Sequence, residues 1–283
     1  MKVVRTFATS ANLGPGFDTF GLCYEFYNEY AFEVSLFYIL EGFDSKYSDP
    51  SKNLIIQSYE EVFKTLNKDI IPLKITQLVQ NIPTSRGLGS SASCIVAGVL
   101  MANDILENIL TKDEIFQIAS RIEGHPDNVA PLIFGGFTCS FKNEKYHTIE
   151  LSIASDFVFT LCIPNFELET AVARSVLPKE VKMADAVSNI SHSVALVKAF
   201  ETNDLELLKI ASVDKLHQDY RFPLIKDSNY FINFAKENNA VCMISGAGPT
   251  ILLISQEKLH IEKEDWLIKE LYLSDQGAFV YEK

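Results

Sequence analysis

The stretch Arg86–Ser93, RGLGSSAS, constrains the fold of this 283-residue chain more than any other, because it joins a strand-like run to a long apolar segment. Glycine permits positive φ angles and lets the backbone approach a neighbouring group closely. The segment that follows, Ser91–Leu106, is apolar almost throughout and predicts a buried helix. A turn that opens directly into a helix leaves the first N–H groups unpartnered at the positive end of the helix dipole. The sequence therefore predicts an anion site, most naturally for phosphate, at the N–H groups of Ser90, Ser91 and Ala92.

Hydrophobic periodicity divides the rest of the chain into helices and strands. Residues Phe26–Phe37 alternate, which predicts a half-buried strand with Phe26, Tyr30, Phe32, Val34 and Leu36 on its buried face. Helices are expected at 53–64, 111–123, 184–200, 204–216 and 228–237, and further strands at 73–82, 133–141, 157–164, 241–244 and 250–254. The mixture predicts an α+β fold. A helix-rich second half predicts a boundary near 151–156, which gives domains of 1–153 and 154–283.

Charge and cysteine content exclude some classes of function. The net charge of −12 argues against a general nucleic-acid or anionic-membrane binder, because such a protein needs a basic face. A bound phosphate must therefore be held by backbone N–H groups, a helix N-terminus, a metal ion or a few arginines. The five cysteines are widely spaced without a C-x-x-C pair, which indicates reduced thiols in a cytoplasmic protein. We find no signal peptide and no apolar run long enough to span a membrane, so we expect a soluble protein.

Two more glycine-rich turns follow strand-like runs, ANLGPGFD at Ala11–Asp18 and SGAGPT at Ser245–Thr250. Taken alone, the last of them is best interpreted as a plain turn. The chain has no Gly-Lys pair, so the middle turn is not a Walker A loop. Gly87–Ala92 fits the dinucleotide pattern G-x-G-x-x-A, but four residues separate it from its strand, and the available ribose-binding acid, Asp113, lies in a capped first turn. A nicotinamide-dependent oxidoreductase is therefore the weaker hypothesis.

A polar segment, RIEGHPDNVAP, ends the helix predicted at 111–123. A plain helix-to-loop turn would explain its glycine and proline, but not its Glu123, His125, Asp127 and Asn128. A Mg²⁺ ion held by one carboxylate, one hydroxyl and substrate phosphates needs such an acid near a phosphate loop. The sequence therefore nominates Ser91 and Glu123 as a metal-binding pair.

The motifs together resemble a known family. PTSRGLGSSAS resembles the P-x-x-x-G-L-G-S-S-A-[AS] signature of the GHMP kinases, and the surrounding motifs resemble the homoserine kinases within that superfamily. These motifs are ATSANLGPGFDTFGL, EGHPDNVAP, TAVARSVLP, LHQDYR and SGAGPT. The resemblance implies an S5-domain-2-like N-terminal domain (1–153), a ferredoxin-like C-terminal domain (154–283) and an ATP site between them. It also implies an ATP:L-homoserine O-phosphotransferase with Mg²⁺ as cofactor, and a homodimer.

The resemblance assigns roles to individual residues. The catalytic set is Ser91, Glu123, Asp127 and Asn128. The ATP-binding set is Asn53, Pro83, Arg86, Gly87, Leu88, Gly89, Ser90, Ser91, Ala92 and Ser93. The substrate-binding set is Asn12, Asp18, His125, Asp127, Thr170, Arg174, Arg221, Gly246 and Gly248. Within it, Arg174 and Arg221 would hold the substrate carboxylate, because a forked guanidinium matches that group, and Asp18 with Asn12 would hold the ammonium.

Several alternatives stay open. Asn53 is explained equally well as a helix N-cap, and Ser93 as a residue that faces only the buried helix. No general base is assigned, because an amide such as Asn128 cannot accept a proton from an alcohol, so direct transfer with the proton lost to phosphate or water remains. Another GHMP small-molecule kinase, or a nucleotide-binding module without catalysis, would share the phosphate loop.

Overall fold

The computed structural model describes residues 1–283, which form eleven strands, nine α-helices and three short 3₁₀ turns. The strands are β1 (Lys2–Ala11), β2 (Phe20–Val34), β3 (Ile39–Glu41), β4 (Leu73–Gln80), β5 (Phe137–Lys142), β6 (Tyr146–Leu151), β7 (Val158–Pro164), β8 (Val241–Ile244), β9 (Ile251–Ser255), β10 (Trp266–Leu271) and β11 (Phe279–Glu282). The helices are α1 (Leu54–Thr65), α2 (Ser90–Ile105), α3 (Lys112–Glu123), α4 (Val129–Phe134), α5 (Thr170–Ser175), α6 (Met183–Thr202), α7 (Leu205–Ala211), α8 (Gln218–Arg221) and α9 (Ser228–Glu237). None of the helices combines the length and apolar character needed to cross a membrane.

The strands form two separate sheets, so the α+β class is confirmed. The first sheet has seven strands in the order β11-β1-β2-β4-β3, and β5 pairs with both β2 and β6. The second has four antiparallel strands in the order β10-β7-β9-β8. Numbered along the chain, that order is fourth, first, third, second, as in a ferredoxin-like unit. Residues 256–265 connect β9 to β10 without a helix.

Three hydrophobic cores hold the two sheets and the helices together. The first contains 25 buried residues and lies between the first sheet and α1–α4. The second contains 23 buried residues drawn from both sheets and from α6 and α7, with Phe137, Phe159 and Phe200 among them. The third is smaller and joins the second sheet to α9 through Phe231 and Trp266. Because the second core is built from both sheets, they are held in a fixed relation, and the cleft described below lies where their loops meet.

The expected boundary at 153/154 falls between β6 and β7, where the chain passes from the first sheet to the second. The last strand returns to the first sheet, because β11 pairs with the beginning of β1. Leu273 also forms an isolated bridge with Tyr24 of β2. We keep the division into 1–153 and 154–283 as a proposal, with the C-terminal residues completing the first sheet.

Several elements differ from the sequence-based expectation. The pairing of β2 with β1 shifts between Tyr24 and Tyr27, and Phe26 within this irregular stretch lies in the second core, whereas Tyr30 lies in the first. The strand ends at Val34, and both Val34 and Leu36 are exposed rather than buried. The strand expected at 133–141 begins only at 137, because residues 129–134 form α4. The helix expected at 204–216 ends at 211.

Candidate active site

A cleft with a cavity volume of about 450 Å³ brings the sequence motifs together. Its walls come from the middle of β2, the second half of β4, the first turn of α2, the end of α3 and the segments around α5 and α8. Tyr30, Phe43 and Leu54 supply an apolar part, whereas Arg174 and Arg221 supply positive charge. A concave site with a few polar groups among apolar walls is typical of small-molecule binding.

The first turn of α2 carries free N–H groups, as the sequence predicted. Gly89 is the N-cap with φ 67°, and no side chain caps the helix. The first backbone bond of the helix runs from the Ser93 N–H to the Gly89 carbonyl at 2.8 Å. The N–H groups of Ser90, Ser91 and Ala92 precede that bond and have no partner in the chain. They lie at the positive end of a 16-residue helix, a position that favours anions.

Neighbouring segments of the chain leave no room for a side chain at the two glycines of this loop. Gly87 has φ 73°, and a Cβ there would overlap the carbonyl oxygen of Ser245 in the third glycine turn. A Cβ at Gly89 would overlap Oγ1 of Thr9 on β1. The Ser245 hydroxyl donates to the Gly87 carbonyl at 2.7 Å, which fixes the two turns against each other. The glycines thus let the loop pack closely against β1 and the third glycine turn. In this position the start of α2 faces the cleft.

Two residues of the expected ATP-binding set face the interior instead of the cleft. Leu88 is buried in the second core. Ser93 is also fully buried, and its hydroxyl lies 2.7 Å from the Thr6 hydroxyl. Neither side chain can reach a nucleotide, so the contribution of this part of the loop comes from its backbone.

Two further members of that set have structural partners. The Arg86 guanidinium donates to the carbonyls of Pro164 at 3.0 Å, Thr84 at 3.0 Å and Asn165 at 2.9 Å, which anchors the loop to the end of β7. Asn53 caps α1, because its Oδ1 accepts from the Ile55 N–H at 3.0 Å. Its Nδ2 donates to the Tyr47 carbonyl at 2.8 Å. Both residues line the cleft, whereas Pro83 does not.

Ser91 and Glu123, nominated as a pair from the sequence, are in contact. The Ser91 hydroxyl in the first turn of α2 donates to Glu123 Oε2 at 2.7 Å, and Glu123 is the last residue of α3. Burial raises the pKa of Glu123, and the hydrogen bond from Ser91 opposes this rise. A hydroxyl and a carboxylate oxygen side by side at a phosphate-binding helix terminus are hard oxygen ligands of the kind Mg²⁺ takes together with phosphates. The residues present therefore fit that ion.

The next three polar residues form a chain of hydrogen bonds behind Glu123. His125 Nδ1 lies 2.8 Å from Asp127 Oδ1, which also accepts from the Asn128 N–H at 3.0 Å. Asn128 Oδ1 accepts from the Thr9 hydroxyl at 2.8 Å. Burial opposes protonation of His125, but the hydrogen bond and charge of Asp127 outweigh it and raise the His125 pKa. Asp127 is 1% exposed and does not line the cleft, and its carboxylate contacts His125, whereas the resemblance implied a substrate contact.

The first glycine turn presents Asp18 to Arg174 of α5. The Arg174 guanidinium donates to both carboxylate oxygens of Asp18, at 2.7 and 3.1 Å. Asn12 Oδ1 accepts from the Asp18 N–H at 2.8 Å, so the turn is held by its own side chain. The sequence-based expectation placed Asp18 and Arg174 on opposite ends of the substrate, whereas here they are paired with each other.

Arg221 of α8 is a buried cation without a counter-ion. It is 0% exposed, and its Nε and Nη1 donate to the backbone carbonyls of Ala173 at 3.2 Å and Gly246 at 3.3 Å. No carboxylate hydrogen-bonds to it, and its Nη2 has no partner in the chain, although the residue lines the cleft. Burial and the charge of Arg174 lower the Arg221 pKa to about 10. A desolvated guanidinium of this kind is costly unless an anion accompanies it.

Sequence reasoning missed Phe17. Its ring lies 5.5 Å from the Arg174 guanidinium carbon and 5.2 Å from that of Arg221, so it stabilises both cations. Its position inside the first glycine turn, next to Asp18, was the available signal. Of the other expected substrate residues, Thr170 and Gly246 line the cleft, whereas Gly248 does not.

Comparison with known proteins gives one consistent result. Residues 53–136 match the family of GHMP kinases N terminal domain. The chain is 38% identical to a homoserine kinase of Clostridium beijerinckii, over 100% of this chain and 99% of that protein. It superposes on the crystal structure of a homoserine kinase from Cytophaga hutchinsonii with a TM-score of 0.86 at 26% identity, covering 99% and 97% of the two chains. A Streptococcus pneumoniae phosphomevalonate kinase, solved with phosphomevalonate and AMPPNP, shares the fold at 15% identity with a TM-score of 0.70, covering 91% and 93%.

Proposed function

The chain belongs to the homoserine kinases of the GHMP kinase family, and on that premise we propose how its cleft transfers the γ-phosphoryl group of ATP to the L-homoserine hydroxyl. The reaction yields O-phospho-L-homoserine, a step in threonine biosynthesis. One observation supports the assignment of the cleft above all others: a buried arginine without a counter-ion shares it with an uncapped helix N-terminus. The cleft thus offers one anion site for a carboxylate and another for phosphates.

ATP binds with its phosphates at the start of α2. The free N–H groups of Ser90, Ser91 and Ala92 donate to phosphate oxygens, and the helix dipole adds attraction. The adenine end lies against the apolar part of the cleft, where Tyr30 stacks on Phe43 with ring centroids 5.9 Å apart. Asn53 contributes there by shaping the start of α1, since both polar atoms of its amide are already paired.

Ser91 and Glu123 would hold the Mg²⁺ ion through their side-chain oxygens. When bound, the ion neutralises charge on the phosphate oxygens of ATP. Glu123 is well placed for this role because its carboxylate is half-buried beside the helix terminus and already touches Ser91.

L-Homoserine is a zwitterion, and the two ends of the molecule match charges at the cleft. Its carboxylate binds the open Nη2 of Arg221 together with Arg174, and its ammonium binds Asp18, which is not part of the cleft lining but is held beside it by Arg174 and Asn12. The substrate therefore replaces the ion pair between Arg174 and Asp18 with two new ion pairs, so no net charge is added to the site. His125, Thr170 and Gly246 complete the walls.

Phosphoryl transfer passes through a loose transition state, so alignment and charge neutralisation supply most of the catalysis. The α2 N–H groups provide positive charge around the transferring group. We assign no protein base: Asn128 cannot accept the hydroxyl proton, and Asp127 is 1% exposed and occupied by His125. The proton leaves to phosphate or water.

A coupled ADP-release assay across a panel of alcohols tests the proposed function. We expect Mg²⁺-dependent turnover with L-homoserine and weaker turnover with L-threonine, because one extra methyl group discriminates by only about 1–3 kcal/mol. Turnover with mevalonate or a sugar, but none with L-homoserine, would support a kinase of the same fold and contradict L-homoserine as the substrate. ATP binding without turnover of any alcohol would leave only a nucleotide-binding module.

We also propose a cytoplasmic location, which the five unpaired cysteines support, since free thiols persist in a reducing compartment. The acidic surface supports neither a nucleic-acid nor a membrane partner.

A homodimer through α6 is a further part of the proposal. An exposed apolar stripe runs along this helix through Met183, Val187, Ile190 and Val194, with Ile190 67% exposed. The spacing is symmetric about the midpoint between Val187 and Ile190, so a second copy related by a two-fold axis can lay the same stripe against it. Exposed apolar patches of this kind mark interfaces.

We therefore expect Ile190→Lys to convert a dimer into a monomer, because a lysine at the centre of the stripe cannot be buried against its own copy. Light scattering after size-exclusion chromatography measures the mass. Ile149→Lys is the matched control, since Ile149 is also an exposed isoleucine (51%) but lies on β6. A monomeric wild-type protein at micromolar concentration would contradict the interface.

A further inference from the structure

The LHQDYR motif contains a histidine that the reaction described above does not use. His217 is 0% exposed and lies between the two segments that carry the substrate-binding charges. Its Nε2 is 2.8 Å from the carbonyl oxygen of Gly14, in the turn that presents Asn12 and Asp18. Its Nδ1 is 3.3 Å from Nη1 of Arg221. One ring thus connects the ammonium end of the site to the carboxylate end.

The partners of His217 fix the state of its ring. A carbonyl oxygen only accepts hydrogen bonds and a guanidinium only donates them, so Nε2 carries the proton and Nδ1 is the acceptor. Burial, together with the charge of Arg221, lowers the His217 pKa in spite of the opposing charge of Asp214, which agrees with a neutral ring. A protonated ring would lose its bond from Arg221 and place two cations side by side.

A second set of contacts holds the ring rigidly. The buried Asp214 carboxylate accepts from the N–H groups of His217 at 2.8 Å and Gln218 at 2.6 Å, and from the side-chain amide of Asn189 on α6 at 2.8 Å. Phe17 stacks on the imidazole with centroids 5.4 Å apart and 26° between the planes. The contacts with Asp214 and Phe17 therefore hold the imidazole in a single orientation.

We propose that His217, as the neutral Nε2–H tautomer, is a positioning residue that holds Arg221 at a fixed distance from the Gly14 turn and so sets the cleft to the spacing of an α-amino acid. The inference rests on the proposed function, because it gives Arg221 and Asp18 their carboxylate and ammonium partners. Without the ring, Arg221 keeps the carbonyls of Ala173 and Gly246 but loses its link to the turn. Removal of the ring is therefore expected to weaken the binding of the amino acid and to leave nucleotide binding unchanged.

We expect His217→Ala to raise the KM for L-homoserine about 10- to 100-fold, by analogy with residues that orient metal ligands, while the KM for ATP changes less than about twofold. His217→Asn keeps a polar atom near Nδ1 for Arg221, and His217→Gln keeps one near Nε2 for Gly14. We expect each of these variants to have a KM for L-homoserine between those of the wild-type protein and His217→Ala. Steady-state kinetics with each substrate varied in turn measures the split.

Asn103→Ala is the matched control for loss of stability, because Asn103 is a buried polar residue that accepts from the Leu110 N–H at 2.8 Å and does not line the cleft. Urea unfolding shows which variants are folded and equally destabilised. If His217→Ala raised both KM values together, or only lowered kcat as loss of folded protein does, His217 would not be a positioning residue for the amino acid. A wild-type enzyme inactive on L-homoserine would instead overturn the proposed function.

The tautomer gives an independent measurement that needs no variant to be active. The ¹⁵N spectrum of the wild-type protein, assigned with His217→Gln, is expected to show a protonated Nε2 and an unprotonated Nδ1 at pH 7. A doubly protonated ring, or a proton on Nδ1, would exclude the bond from Arg221 and overturn the inference.

Discussion

Glu123→Gln is expected to lower kcat about a thousandfold while the protein stays folded. Glutamine keeps the shape and can still accept from Ser91, but it lacks the negative charge that holds a divalent cation at the phosphates. Removing one electrostatic element from a phosphoryl-transfer site costs about 4 kcal/mol, and each 1.36 kcal/mol is a factor of ten in rate. The measurement is kcat at saturating ATP and L-homoserine over a series of Mg²⁺ concentrations, where high Mg²⁺ restores part of the loss.

Glu114→Gln is the matched control, because Glu114 lies on the same helix and accepts from the Thr111 N–H and hydroxyl, both at 2.8 Å, in a capping box. It should lose a little stability and keep full kcat. Ser91→Ala removes the other proposed ligand and should lower kcat by a smaller factor. Wild-type kcat in Glu123→Gln at every Mg²⁺ concentration would show that Glu123 does not hold the metal.

The phosphate-binding half of the site could be predicted from the sequence because its chemistry is local. A glycine with positive φ followed by a helix leaves free N–H groups wherever the fold places it, and the structure has this arrangement at Gly89 and Ser90–Ala92. The pair of Ser91 and Glu123 also followed, because each lies at the end of its own predicted helix. What the pattern could not show was which loop residues face inward, and Leu88 and Ser93 proved to be buried.

The amino-acid half depends on contacts between distant segments, which a one-dimensional pattern does not contain. Arg174 pairs with Asp18 across 156 positions, and His217 reaches Gly14 across 203. Motif resemblance identified Asp18, Arg174 and Arg221 but could not say that two of them neutralise each other in this structure. The pairing shift between Tyr24 and Tyr27 of β2 has the same origin, since a bulge depends on how the partner strand β1 pairs with it.

Arg221→Met is expected to raise the KM for L-homoserine about a hundredfold and to leave the KM for ATP unchanged. Methionine fills much of the same space but carries no charge, and truncating one partner of a buried charge pair costs about 2–5 kcal/mol. A hundredfold change corresponds to about 2.7 kcal/mol, within that range. The KM of Arg221→Lys for L-homoserine should lie between those of the wild-type protein and Arg221→Met. Lysine keeps the charge but loses the planar fork that matches a carboxylate. Steady-state kinetics with L-homoserine varied at saturating ATP measures the change.

Substrate binding can be measured separately from catalysis by thermal unfolding, because a ligand that binds only the folded state raises the Tm of the protein. We expect L-homoserine to raise the Tm of the wild-type protein and to have little effect on Arg221→Met. Arg5→Met is the control, since Arg5 is a guanidinium bound to Glu29 at 2.6 Å on the first sheet, away from the cleft. It should lower the Tm but keep both the homoserine-induced shift and the KM. If Arg221→Met kept the wild-type shift and KM, the unpartnered cation in the cleft would not be the carboxylate site, and Arg174 alone would have to hold that group.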